Sequence, residues 1–545
     1  MRLNRVLRLL CLAALVLLTA GCARRSETQA VILITPAPTE PAPSAAPANP
    51  ANSGVVVLEG KSLNVGYVAT QGSSLHPLRT QSRDLCSLDR LVFESVIDLD
   101  ENREPVSQLC GRWEYIGEDK AWYFYLRDGV VFHDGSPLTA YDVVASYEDI
   151  LINSETSPYY ARVRYLSDMQ AVDTLTVKVT PGSFGYMTLY AMTFPVVQRD
   201  SLNAAYPKGT GPYWFTSFNN WGLMVLERNP LWWRRQSEIP RIVCKRYNEV
   251  SDAMEAFTTG EIDMLATRST SAALSRQLSD RTTMDYTTLT WECLVPDLRG
   301  SILSDRAVRE ALMYAIDRTS LASTVYLGMA QESEVPVIPG SWLYETQSAR
   351  YNYSPEHALQ LLYDAGWIDS NGDGVLDRVK DGLWEDLAFE IITYDEPTTS
   401  SRSKAAQLIA DQLARIGIRV SVNNTTRSKV LKAFNSEDDF GLALVGFNLS
   451  TMPDLSYLLS SNGNGNCSHY ESEKMDDALK RARQALSADE LRAQLSDIQL
   501  LVVDDLPVMG LFFRTGTLVS RLNLGGLSGI REDYILRGAE YLSLD

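Results

Sequence analysis

The sequence has 545 residues, with 50 Lys plus Arg against 68 Asp plus Glu and a formal charge of −18, a balance that repels polyanions and excludes a nucleic-acid surface. Its 45% hydrophobic, 22% charged and 9% aromatic residues exclude a chain disordered over most of its length and supply ample material for a core. At roughly 150 residues per domain, the length suggests two to four domains.

Arg2, Arg5 and Arg8 precede an apolar stretch from Leu9 to Leu18, which Thr19-Ala20-Gly21-Cys22 closes. That stretch is too short to cross a bilayer, which takes about 20 residues, so residues 1–21 read as a signal peptide. Leu18-Thr19-Ala20-Gly21-Cys22 resembles a bacterial lipobox, which implies cleavage before Cys22 and a diacylglycerol on its sulfur; the alternative is a simple leader with Cys22 incidental. Acyl chains on Cys22 would anchor the protein at the extracytoplasmic face of the cell membrane, since each buried CH₂ contributes about 0.8 kcal/mol. Between residues 22 and 54, prolines at 36, 38, 41, 43, 47 and 50 favour an extended tether, so the folded body should run from Val55 to Asp545.

Along the body, β-branched and aromatic runs alternate with amphipathic helical patterns, the mark of an α/β protein. Cys86, Cys110, Cys244, Cys293 and Cys467 are five, an odd number, and none has the two-residue spacing of a zinc or redox motif; their pairing stays open, with buried free thiols as the alternative. Trp122-Tyr123-Phe124-Tyr125-Leu126 predicts a strand, and Thr139 with Asp142 a capped helix start. His133-Asp134-Gly135 between them reads as a turn rather than a catalytic group. Gly209-Thr210-Gly211-Pro212 resembles a phosphate loop only superficially, because no lysine follows and Pro212 lacks a donor.

Farther on, Ser304-Asp305 opens a helix with Val308, Leu312, Ala315 and Ile316 inward, and Ser354-Pro355 opens another that ends at Gly366. Asp369, Asn371, Asp373, Gly374 and Asp377 imitate the start of a calcium loop, but Lys380 stands where a bidentate Glu belongs, so calcium is left open. Ser487 and Glu490 form a capping box before Leu491, Leu495 and Ile498. The four histidines, at 76, 133, 357 and 469, are scattered, and neither HExxH nor GxSxG occurs, which leaves no residue set for catalysis. A secreted glycoside hydrolase, whose two carboxylates would be invisible in one sequence, is the enzymatic alternative.

LRDGVVFHDGSPLTAYDVVASYE (Leu126 to Glu148) resembles the signature segment of the bacterial family 5 extracellular solute-binding proteins, the peptide and nickel group serving ABC importers. GTGPYWF at 209, RNPLWW at 228, GEID at 260, SDRAVREALMYAIDR at 304, VYLGMA at 325, YSPEHALQLLYDAGW at 353 and DLPVMGLFF at 505 follow in the family's order. The resemblance implies a two-lobed α/β fold of the periplasmic-binding-protein type (type II, cluster C-like), the N-terminal lobe subdivided and completed by the C-terminal segment. On this chain that places lobe I at 55–292 with an inserted subdomain at about 98–175, lobe II at 293–500, and the return to lobe I at 501–545.

It also implies a monomer without catalytic activity, cofactor or nucleic-acid partner that captures a solute between its lobes and delivers it to ABC importer permease subunits. An oligopeptide is the expected solute, with a sugar, a metal chelate or a signalling peptide for a surface receptor as rivals. In many peptide-binding relatives a Gly-Trp strand end is followed by an aspartate that holds the peptide's amino terminus. Here Gly446-Phe447-Asn448-Leu449-Ser450 puts Phe447 for Trp and Ser450 for the acid, so Asp454 is the candidate substitute, or else the cap of the helix suggested by Leu455 to Ser460. Phe447, Asn448, Ser450, Asp454 and Trp342 are thus expected to meet Arg83 and Asp84 across the cleft.

Overall fold

The computed structural model describes residues 62–544 except 220–221, 278–280, 381 and 397–398. The leader, Cys22 and the proline-rich segment lie outside the described residues.

Among the described residues, eleven strands form the main sheet: β1 (Leu63–Val68), β2 (Tyr213–Phe218), β3 (Leu223–Arg228), β4 (Arg241–Tyr247), β5 (Met264–Thr267), β6 (Thr282–Pro296), β7 (Ala330–Glu332), β8 (Ala388–Tyr394), β9 (Arg419–Thr425), β10 (Leu442–Asn448) and β11 (Met509–Ser520). Their order is β9-β8-β10-β6-β11-β5-β1-β4-β3-β2, with β7 added to β11. In one wing β1 runs parallel to β4 and β5, and in the other β8 runs parallel to β9 and β10. Apolar runs such as Leu442-Ala443-Leu444-Val445 are buried throughout, as parallel strands covered on both faces require.

The long antiparallel pair β6/β11 joins the wings. Thr282–Thr287 pairs with Thr515–Ser520, next to β5, whereas Trp291–Leu294 pairs with Met509–Phe513, next to β10. The ladder breaks between Thr287 and Trp291, so each long strand serves both wings with an interruption between. Two glycines allow close packing along β11. A Cβ on Gly510 would lie 2.5 Å from Glu334 O and from the Trp291 ring, and one on Gly516 would lie 2.2 Å from the Tyr286 ring.

A separate antiparallel sheet of Cys110–Ile116, Ala121–Leu126, Thr176–Pro181 and Leu166–Ala171 contains the expected aromatic strand. Thr139 and Asp142 form a complete capping box on helix Ala140–Ile152. Asp305 caps Arg306–Ala315 by accepting from Ala307 N at 3.0 Å, and Pro355 occupies the first turn of Pro355–Asp364. Ser487 accepts from Glu490 N at the start of Ala488–Asp505, while the Glu490 carboxylate accepts from Leu486 N, one residue before the cap.

His133-Asp134-Gly135 is a turn with Gly135 at φ +85, Asp134 accepting from Ser136 N. Gly209–Pro212 is also structural: a Cβ on Gly209 would lie 2.0 Å from Val92 O. In the acidic loop, Asp369 accepts from Gly372 N and Gly374 N, Asp373 from Val375 N, and Asp377 from Ser370, so its carboxylates are spent on the loop itself. Cys86, Cys110, Cys244, Cys293 and Cys467 are free thiols. No helix among the described residues is long and apolar enough to cross a membrane.

Candidate functional site

A cavity of about 1260 Å³ opens where the two wings meet. Its walls are the segments that leave the carboxyl ends of parallel strands: Val68–Thr70 after β1, Asn248–Glu249 after β4, Thr267–Ser271 after β5, Glu396 after β8, and Asn448 at the end of β10. Sheets of this kind place ligand crevices outside their strands' carboxyl ends, because connections diverge there and leave polar backbone and loop side chains facing a gap. Tyr286 and Thr290 of β6 and Arg514 of β11, which flank the ladder interruption, complete the lining.

Arg83, Asp84 and Asn448 meet here as the sequence led us to expect. Arg83 and Asp84 start the helix Arg83–Asp89, whose cap is Ser82. The Arg83 guanidinium reaches across to Asn448 Oδ1 at 3.4 Å and lies 3.4 Å from Glu532; Asn448 Oδ1 also accepts from Thr290 Oγ1 at 2.9 Å. Asp84 accepts from Val68 N–H at 2.7 Å. Burial is the main influence on Asp84 and pushes its pKa up to about 6, against the pull of the Val68 N–H and Arg83 and with a further push from Glu532.

The other four expected residues lie elsewhere. Phe447 is half-buried against the core and does not line the cavity, because successive side chains of a strand point to opposite faces and Asn448 takes the cavity face. Trp342, Ser450 and Asp454 share a smaller cavity of about 90 Å³ with Val337, Ile338 and Met452. Trp342 is a joint rather than a wall of the main cavity, its Nε1 donating to Arg103 O at 3.2 Å and to the Tyr190 hydroxyl at 2.9 Å. Asp454 is committed to Arg483 at 2.8 Å and accepts from Ser456 N and Oγ, one residue before Leu455, the N-cap of helix Ser456–Leu459.

Four residues were not anticipated: Arg268, Glu396, Arg514 and Tyr286. Glu396 receives Arg514 at 2.8 Å and Arg402 at 3.0 Å, and Arg402 in turn makes a bidentate pair with Glu292 at 2.8 and 3.0 Å. Burial would raise the Glu396 pKa, but Arg514 and Arg402 outweigh it and hold the carboxyl below its ordinary range. Glu292 is fully buried, and Gly446 makes room for the pair, since a Cβ there would lie 2.4 Å from the Arg402 guanidinium. Arg268 sits 3.0 Å from Glu532, so Arg83 and Arg268 share one carboxylate. The visible signal was the polar tail after each apolar strand, as in Thr267-Arg268-Ser269; the partners themselves lie far apart in the sequence, Arg268 and Arg83 both reaching Glu532, and leave no local trace. Among the described residues, no cluster of three or more His, Cys, Asp or Glu could hold a metal ion.

Residues 104–468 match the family model of the bacterial extracellular solute-binding proteins, family 5 (middle). The chain is 24% identical over 491 residues to the oligopeptide-binding protein AppA of Bacillus subtilis, spanning 86% of this chain and 89% of that one. It is 24% identical over 360 residues to the nickel-binding periplasmic protein of Escherichia coli, spanning 62% and 67%. The crystal structure of a nickel ABC transporter protein from Bacillus halodurans superposes with a TM-score of 0.78 at 20% identity, covering 89% of this chain and all of that one. With the two-winged sheet and its strand-end cavity, these likenesses make the chain a member of the bacterial extracellular solute-binding proteins, family 5.

Proposed function

We propose that this protein is the receptor of an ABC importer, a monomer that captures an oligopeptide in the cavity between its wings and hands it to membrane permease subunits, without chemical turnover. In this reading residues 1–21 are a cleaved leader, lipidated Cys22 anchors the chain outside the cell membrane, and residues 22–54 are the tether. Lobe I comprises 55–292 with the subdomain at about 98–175, lobe II comprises 293–500, and 501–545 returns to lobe I. Arg83, Asp84 and Asn448 contact the solute.

The carrying observation is the cavity itself: at about 1260 Å³, walled from both wings, it exceeds the roughly 300–1,000 Å³ of small-molecule pockets and suits an extended solute. A solute that touches both walls favours the arrangement in which the walls are close, which is the thermodynamic basis of closure.

The test is a thermal-shift screen of dipeptides to nonapeptides beside oligosaccharides and nickel or iron chelates. A bound solute at 100 times its dissociation constant should stabilise the protein by about 2.7 kcal/mol. Stabilisation by peptides is the expected result; stabilisation by sugars or chelates alone would replace the oligopeptide, and conversion of an oligosaccharide to products would replace the receptor.

A further inference from the structure

A second cavity, a groove of about 920 Å³, shares no lining residue with the solute cavity. One wall comes from the four-stranded sheet and its connections, through Tyr115, Lys120, Arg164, Tyr165 and residues 181–185. The other comes from helices Ser456–Leu459 and Glu473–Gln484 and residues 460–464. Backbone joins the two walls: Gly185 N donates to Arg483 O at 2.6 Å, and a Cβ on Gly185 would lie 2.1 Å from Ala485 O. The floor is therefore fixed before anything binds. There Tyr165 and Phe184 meet edge to face at 4.7 Å, and Asp454 holds the Arg483 guanidinium near both rings, at 5.9 and 5.7 Å.

Charge sets this groove apart. The chain carries a formal −18, yet four of the six charged residues lining the groove are cations. Asp454 neutralises Arg483, and Asp476 accepts from Ser461 N–H at 2.9 Å. Lys120, Arg164 and Lys480 have no carboxylate partner among the described residues; Arg164 lies over the Tyr165 ring at 4.6 Å and donates to its hydroxyl. In the solute cavity, by contrast, Arg79, Arg83, Arg268 and Arg514 are all paired with carboxylates. Unpaired cations gathered in a concave surface focus their field and draw anions to it.

The remaining lining narrows the class of anion. Tyr457 is 61% exposed, and its ring is set by Gly465, where a Cβ would lie 2.2 Å from it. Asn462, Asn464 and Gln484 line the groove with amides that bond no other protein group among the described residues. A sugar ring stacks its C–H face on an aromatic ring, its hydroxyls suit amides that both donate and accept, and its acidic substituents need cations. An acidic polypeptide would need the cations alone.

We propose that this groove is a second binding site and that it takes an anionic carbohydrate, a short chain of sugars bearing carboxylate or phosphate groups. The site goes beyond the receptor reading and does not depend on it.

The experiment is calorimetry on the full chain at pH 7.5 with hexagalacturonate, its methyl ester, phosphorylated maltohexaose and hexaglutamate. The natural sequence should bind one of the two anionic sugars at least tenfold more tightly than the methyl ester and than hexaglutamate, the tighter of the two naming the acidic group. Lys120→Ala combined with Lys480→Ala should weaken that sugar at least tenfold, whereas Lys432→Ala, exposed and outside both cavities, should change it less than twofold. Tyr457→Ala should weaken it several-fold with no change of charge. All of these positions are exposed, so an unchanged melting temperature separates lost binding from lost folding. Equal binding of hexaglutamate overturns the carbohydrate assignment in favour of an acidic polypeptide. Binding that survives the double substitution, or no binding of either anionic sugar, overturns the site itself, and each of these results leaves the receptor reading in place.

Discussion

Replacing Arg402 by Met should lower folding stability by about 3–5 kcal/mol, because it strips the counter-charge from a carboxylate that has no access to water. Glu292 is fully buried, and both of its oxygens are taken by the Arg402 guanidinium. The same guanidinium packs over the Tyr394 ring at 4.7 Å and holds Glu396 in the cavity wall, so its removal also frees Arg514 to reorient. Burial works against the charge on Arg402, but Glu292 more than compensates, and the group stays protonated throughout the accessible pH range. Urea denaturation at pH 7 measures the loss. Adding Glu292→Leu should recover most of it, because two apolar groups of similar size leave no buried charge unpaired. A loss below 1 kcal/mol in Arg402→Met would mean that water reaches Glu292.

The opposite sign is expected at Asp84. Its carboxyl titrates near 6 in the folded protein and at 3.8 in an unfolded chain, so between those values the folded state binds more protons and stability falls as pH rises. Above about pH 6 the full penalty applies, and below about pH 4 it vanishes. Asp84→Asn removes the penalty and should raise the stability of the solute-free protein by about 1–3 kcal/mol at pH 7.5, with the gain shrinking toward zero by about pH 3.5. Thermal melts of the two proteins across that range check it. A gain that does not depend on pH would point to packing rather than charge.

How far these features could be read in the sequence depended on how local their causes are. Thr139 with Asp142, Asp305, Pro355 and Ser487 act within one helical turn, and each stands where its spacing placed it. Trp122–Leu126 carries its strand character in its own side chains. The site is different. Phe447 and Asn448 are neighbours in the chain, and only the register of β10 against β6, Trp291 opposite Phe447 and Thr290 opposite Asn448, decides which of them faces the cavity. A strand slipped by one residue would exchange their roles. Asp454 looked free in the sequence because its partner Arg483 belongs to the separate helix Glu473–Gln484, and Trp342 looked like a cleft aromatic because its partners at 103 and 190 are equally remote. Arg268, Glu396 and Arg514 became visible only when β5, β8 and β11 were laid in one sheet.

In the receptor proposed above, a solute that touches both walls of the cavity draws the wings together. Small-angle X-ray scattering during titration with a peptide that stabilises the protein measures this most directly. The radius of gyration should fall as peptide is added and level off at one peptide per protein; a radius that stays constant while the peptide binds stoichiometrically would contradict closure.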